Sequence, residues 1–321
     1  MKSSRLVIAE VIAATQLFVN QPVARAGETA ASSPSEATPV PEKAPPLPLH
    51  TIEGVGGLVI TPVAYLVDPG PEGTWFGRPS FSATYVSAHQ QNVSSFDVTE
   101  TLFRRVELGF AASRFGLGDL PTAVEKAVGA DIGRSDVWLY NLNARVLALP
   151  ENSFNLPTPS VTLGVQGKIN DGIGTIDHNT GGALTKIGLR HTASADFVGT
   201  ATKMFPNVIA GHPFLISAGL RLSEADQLGY VGFGDTYRPS FEGNAAYAVL
   251  PWAWLAFEYR QKRNPYGHIG DLVRPEQDWF TTGVAFILNN HTTGTVGYGH
   301  LGNVLNRVED YGWALSAKYE F

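Results

Sequence analysis

Tyr311-Gly312-Trp313-Ala314-Leu315-Ser316-Ala317-Lys318-Tyr319-Glu320-Phe321 ends the chain and decides its fold. Successive side chains of an extended strand point to opposite faces. Tyr311, Trp313, Leu315, Ala317, Tyr319 and Phe321 therefore share one face, and Gly312, Ala314, Ser316, Lys318 and Glu320 share the other. One face suits hydrocarbon and the other suits water.

The same alternation runs upstream. Trp138, Tyr140, Leu142, Ala144, Val146 and Ala148 oppose Asn141, Asn143 and Arg145; Val161, Leu163, Val165 and Ile169 oppose Thr162, Gln166, Lys168 and Asn170; Val106, Leu108 and Phe110 oppose Arg105 and Glu107. Period-two segments bounded by turn residues predict twelve strands, near 78–88, 91–102, 105–115, 137–149, 160–170, 192–205, 214–223, 237–250, 253–262, 278–288, 292–300 and 311–321. A short helix is expected near 121–128, where Pro121 fits a first helical position.

Alternation alone also fits a soluble sandwich. Three features favour a membrane. The segments run to about ten residues, the length at which a tilted strand crosses a bilayer. Aromatics gather at strand ends (Trp138, Tyr140, Trp252, Trp254, Trp279, Tyr311, Trp313, Tyr319), as interfacial girdles do. Connections alternate short and long: 103–104, 250–252 and 289–291 are tight, 150–159 and 206–212 somewhat longer, and these are expected at the periplasmic end with Phe321. The set 116–136, 171–191, 224–236, 264–277 and 301–310, with the short 89–90, would lie outside. The expected fold is an all-β, transmembrane, antiparallel up-and-down barrel of about twelve strands.

Composition agrees. Charged residues make up 16% of the chain, against a usual value of about 25%, while glycine is abundant at 34 residues. The net charge of −6 offers nothing to nucleic acid. With no cysteine in the chain, disulfides, thiolate metal sites and a lipid-modified cysteine are excluded. Lys2 and Arg5 before an apolar run, followed by Ala24-Arg25-Ala26, predict a signal peptide over 1–26 and export. Residues 27–50, rich in Pro, Ala and Ser, are expected to form a disordered tether. The Gly-rich stretch 51–77 is expected in the lumen or at its periplasmic mouth, because strand parity leaves it no place in a wall formed by 78–321.

Two motifs carry a narrower likeness: Gly57-Leu58-Val59-Ile60-Thr61-Pro62-Val63-Ala64 with the later Gly70, and Leu255-Ala256-Phe257-Glu258-Tyr259-Arg260. They resemble an uncharacterised proteobacterial outer-membrane family carried as a domain of unknown function and, more distantly, YjbH-like exopolysaccharide-associated barrels. The ending Trp313, Leu315, Ala317, Tyr319, Phe321 is similar to the signature by which such barrels are recognised for assembly. The resemblance implies an outer-membrane location, with lipid and the barrel-assembly machinery as partners.

No phosphate loop, nucleophile elbow or helix-borne zinc pair occurs. His300 lies where a barrel hydrolase keeps a histidine, but no serine accompanies it in that motif, so the protein is not expected to be an enzyme. Asp171, Asp177, Asn179 and Thr180 miss EF-hand spacing, and no metal or cofactor is expected. The informative residues line the wet face: Arg105, Arg145, Lys168, Arg221, Arg260 and Lys318 against Glu107, Asp196, Glu242, Glu258 and Glu320, with Asn141, Asn143, Gln166, Thr200 and Asn244 between them. Such a lining fits a narrow channel for small hydrophilic solutes. It equally fits a closed envelope barrel, with a role in structure, assembly or polysaccharide export, cross-linked by ion pairs and filled by the N-terminal segment.

Overall fold

The computed structural model describes residues 47–321, so the expected signal peptide and most of the expected tether lie outside the described residues. Twelve antiparallel strands close into one barrel: β1 (Ser80–Ala88), β2 (Gln91–Leu102), β3 (Val106–Gly116), β4 (Asp136–Leu149), β5 (Ser160–Asp171), β6 (Ala193–Ile209), β7 (His212–Ala225), β8 (Phe233–Leu250), β9 (Ala253–Arg260), β10 (Trp279–Ile287), β11 (Thr292–His300) and β12 (Gly312–Glu320). Each strand pairs with its neighbours in sequence, and β12 pairs with β1 in a register running from Trp313↔Ser87 to Glu320↔Ser80. Closure leaves no sheet edge, which lets backbone polar groups sit in hydrocarbon without loss of their hydrogen bonds.

The alternation read from the last strand holds in three dimensions. Trp313, Leu315, Ala317, Tyr319 and Phe321 are exposed on the outside, while Lys318 and Glu320 are buried inside. Around the barrel, Phe96, Leu142, Leu220 and Phe257 are each 60% exposed or more. In water such a continuous apolar band would be an aggregation liability, whereas a bilayer supplies the contacts it lacks.

The two ends differ. At the end where β12 finishes, turns are short except for the connection at 150–159; Phe103 and Arg104 hold φ of 52° and 57°, the left-handed pair of a tight hairpin turn. β6 and β7 extend past the expected loop at 206–212 and pair as far as Ile209↔His212. At the opposite end the connections fold. Helix α1 (Leu120–Val128) carries Pro121 in its first turn and ends on Gly129, whose left-handed φ of 68° lets its N–H reach back to Glu125. The 171–191 connection, read as plain loop, contains α2 (Ile173–Asn179) and α3 (Ala183–Ile187), and the Asp177 carboxylate accepts the N–H groups of Leu184 and Thr185 at 2.8 and 2.9 Å.

These connections pack into an apolar lid. Leu117, Leu120, Val124, Ile132, Ile173, Ile176, Leu184, Leu228, Val231 and Tyr266 join Phe115, Val137, Leu139, Phe233 and Trp279 from the inner faces of the strand ends. Trp279 and Trp254 therefore depart from the girdle expected for them. Both point inward, Trp279 beneath the lid with Lys262 Nζ 4.5 Å from its ring centroid, and Trp254 against Val63, Leu215 and Ala246.

Candidate functional site

Residues 48–67 enter the bore from the tight-turn end, rise to the lid and return. At entry, Pro48 O accepts a hydrogen bond from Lys318, and His50 bonds to Ser82 Oγ at 2.9 Å and Thr99 Oγ1 at 2.8 Å. Leu49 and His50 pair with Gly57 and Gly56, which gives the loop an internal brace. Ile52, Val59 and Ile60 at the top join the lid cluster. On the way back, Ala64 N donates to Thr202 Oγ1 at 2.7 Å, and Val67 O accepts from Thr101 Oγ1 at 2.5 Å. Glycine is required in this passage: a Cβ on Gly56 would strike Arg145 and Val67, and one on Gly57 would strike the Thr61 carbonyl.

Three polar clusters hold the loop. In the first, Glu53 receives Lys168 Nζ at 2.6 Å, Arg260 Nη1 at 2.7 Å and Arg221 Nη2 at 3.1 Å. Asp196 and Glu242 share the same cations: Lys168 and Arg221 lie 2.7 and 2.8 Å from Asp196, and Arg221 and Arg260 lie 3.3 and 3.1 Å from Glu242. Without Glu53 the wall here carries three cations and two anions, so the loop's carboxylate neutralises the cluster.

In the second, Glu107 and Arg145 form a bidentate pair at 2.8 and 2.7 Å. Glu107 also accepts Gly56 N at 3.0 Å and Val67 N at 2.8 Å, while Arg145 donates to Val63 O at 2.5 Å and Tyr65 O at 2.8 Å. One wall pair thus grips both limbs of the loop.

The third has no cation. The Glu258 carboxylate accepts Val59 N, Ile60 N and Thr61 N at 3.1, 2.9 and 2.7 Å, with the hydroxyls of Thr61 and Thr281 at 2.7 and 3.1 Å. Consecutive backbone N–H groups wrapped round an anion form a nest. The two sequence motifs singled out above meet here, and Arg260, two residues along β9, reaches Glu53 in the same loop.

Of the wet-face residues named from sequence, Glu107, Asn141, Asn143, Arg145, Lys168, Arg221, Glu242, Glu258, Arg260, Lys318 and Glu320 are buried inside the barrel. Lys318 pairs with Glu320 at 2.5 Å, and Asn143 Nδ2 donates to Glu53 O and Gly54 O at 2.6 and 3.1 Å. Arg105 is the correction. It sits in the exposed turn at 103–105 and donates to Leu147 O at 3.4 Å, because β3 begins only at Val106. Sequence reasoning missed Glu53 and His50; Glu53 lies outside any periodic segment, and no strand pattern flags it. His300 Nδ1 lies 3.2 Å from Asp310 O at the exposed loop end.

A closed barrel with an apolar outer band and a polar bore defines the class: a transmembrane β-barrel protein. The chain belongs to the protein family of unknown function DUF3034, whose profile matches residues 48–318, from the foot of the loop to the last strand. The more distant likeness to YjbH-like barrels gains nothing from this match. No curated protein matches the chain. Among solved structures it is similar to the KdgM porin (9% identity, TM-score 0.46, covering 75% of this chain and 99% of that one). It is also similar to the NanC porin (9%, 0.44, 76% and 100%) and to the Acinetobacter baumannii outer membrane protein Omp33 (7%, 0.42, 77% and 99%). At such scores the likeness says nothing about activity.

Proposed function

We propose that the protein lies in a Gram-negative outer membrane, with its tight turns on the periplasmic side, and passes small hydrophilic solutes through a bore that residues 48–67 close at rest. The observation that carries this reading is the chemistry of the closure. A barrel that needed only to be filled would do so more favourably with apolar side chains, since replacing buried ion pairs with well-packed hydrophobic residues is often neutral or stabilising by about 1–4 kcal/mol. Here the wall and loop meet through carboxylates, guanidiniums and amides. A polar wall is the wall of a bore that is at times wet. The loop enters and leaves by one end, so it withdraws without unthreading. The terminal strand from Trp313 to Phe321 serves recognition by the barrel-assembly machinery, and hydrolase activity is not expected.

The second reading, a closed envelope barrel with a role in structure, assembly or polysaccharide export, is favoured by the apolar lid over the outer mouth. A planar bilayer separates the two. The wild-type barrel is expected to be mostly silent, and the double variant Glu53→Ala/Glu258→Gln is expected to show discrete conductance steps. Silence of the double variant, with liposomes that fail to swell in sugars and amino acids, selects the closed barrel.

A further inference from the structure

The cluster around Glu53 has the form of an occupied binding site. Lys168 on β5, Arg221 on β7 and Arg260 on β9 belong to the wall and converge on one carboxylate that belongs to the loop, at 2.6, 3.1 and 2.7 Å. The wall's own anions are arranged behind these cations. Asp196 takes Lys168 and Arg221, Glu242 takes Arg221 and Arg260, and Gln166 Oε1 accepts Arg221 Nη1 at 2.7 Å. This fixes the cations in place and leaves one positive charge unmatched by the wall. The site lies directly beneath the lid, since Lys168 Nζ also donates to Leu228 O at 3.1 Å.

A second observation points to a ligand. Asn141 stands beside Lys168 in register, faces the bore and is fully buried, yet among the described residues neither its amide nitrogen nor its amide oxygen has a hydrogen-bond partner. A buried amide left unpaired costs about 1–3 kcal/mol for each unsatisfied group. A hydroxyl both donates and accepts, and so matches an amide offering N–H and C=O.

We propose that Lys168, Arg221 and Arg260 form a carboxylate-binding site, with Asn141 as a hydroxyl-binding neighbour, and that Glu53 occupies it as a built-in surrogate for a small hydroxycarboxylate solute. The solute displaces Glu53 and with it the top of the loop, so solute binding and opening are one exchange. This deepens the passage proposed above and rests on it for the solute's route.

Chemical rescue tests the site. Glu53→Ala barrel in detergent is titrated with sodium acetate, sodium glycolate and sodium chloride at constant ionic strength, and its thermal midpoint is followed. Acetate and glycolate are expected to restore the midpoint saturably while chloride does not. Glycolate should act at roughly tenfold lower concentration, the equivalent of one added hydrogen bond. Asn141→Ala in the same background should erase that preference. Equal restoration by all three salts, or by none, overturns the proposal.

If Glu53→Ala does not fold, wild-type barrel is used. Glycolate, and not chloride, should then speed hydrogen exchange of the 49–67 amides, and equal exchange in both overturns the proposal. These readouts involve no conduction. Silence of the Glu53→Ala/Glu258→Gln barrel together with saturable rescue therefore refutes the passage and leaves the site standing, whereas conduction by that variant without rescue refutes the site alone.

Discussion

Glu258→Gln replaces the charge at the centre of the nest and keeps its volume. The wild-type carboxylate holds three consecutive N–H groups, from Val59 to Thr61, together with the Thr61 and Thr281 hydroxyls. Glutamine keeps one accepting oxygen for the Ile60 and Thr61 N–H groups, but its NH2 then faces the Val59 N–H, so one charge-assisted bond is replaced by a repulsive contact and the remaining ones lose their charge assistance. A hydrogen bond to a charged group is worth about 1.5–3 kcal/mol, and the lower part of that range, about 2 kcal/mol, applies here because the hydroxyls can rotate to accept from the new amide. By the tenfold-per-1.4 kcal/mol relation this is roughly a thirtyfold rise in the open population of the loop. Hydrogen exchange followed by NMR or mass spectrometry reads it directly at the amides of Val59, Ile60 and Thr61. Gly56 and Val67, whose N–H groups bind Glu107 at the other end of the loop, report whether opening is local or concerted. A loop that withdraws as one unit accelerates all five amides alike. Less than a twofold change at Val59 to Thr61 would refute the nest as a latch.

Two further outcomes follow from the geometry. Arg145→Ala leaves Glu107 buried without its partner and removes two bonds to the loop's returning limb, a loss of about 3–5 kcal/mol for a broken buried pair; the variant should melt lower and, where it conducts, prefer cations in reversal-potential measurements. In the lid, burial and the neighbouring Glu276 push the Asp226 carboxyl well above its ordinary value, against the opposing pull of Lys262. The folded lid therefore keeps a proton that the unfolded chain releases above about pH 4. Its stability contribution is complete below that value and is lost as pH rises through the raised one, so limited proteolysis of the outer connections should quicken with pH, and Asp226→Asn should flatten the dependence.

The strand period made the wall legible, because each outward residue from Trp313 to Phe321 obeys a rule with a repeat of two. It also placed the bore-lining charges, although a rule of period alone could not see that Arg105 falls beyond the rim, where the left-handed turn at Phe103 and Arg104 has already ended the strand. The lid was harder. Val137, Trp138, Leu139 and Tyr140 are apolar on both faces, a break in alternation that marks where the inner face stops being wet. The loop's contacts were hidden for another reason: Glu53 meets Arg260 across 207 residues of sequence, and no local pattern carries such a pairing. The motif at 57–64 looked distinctive in sequence because nest geometry and close packing restrict nearly every position in it.

β1 and the loop in the bore are one continuous stretch of chain, and β1 is also the strand against which β12 seals, with Phe321 N donating to Pro79 O at 3.4 Å and Arg78 Nη1 to Phe321 O at 3.1 Å. The seam of the cylinder and the foot of the loop in its bore thus lie side by side. A barrel without β12 would have an open flank and would lose the Lys318 contact to Pro48 O at the loop's foot, while the contacts that β3, β4, β5, β7 and β9 make to the loop would remain. The strand that completes the wall thus also pins the foot of the segment that fills it, so sealing the cylinder and fixing its contents draw on the same few residues.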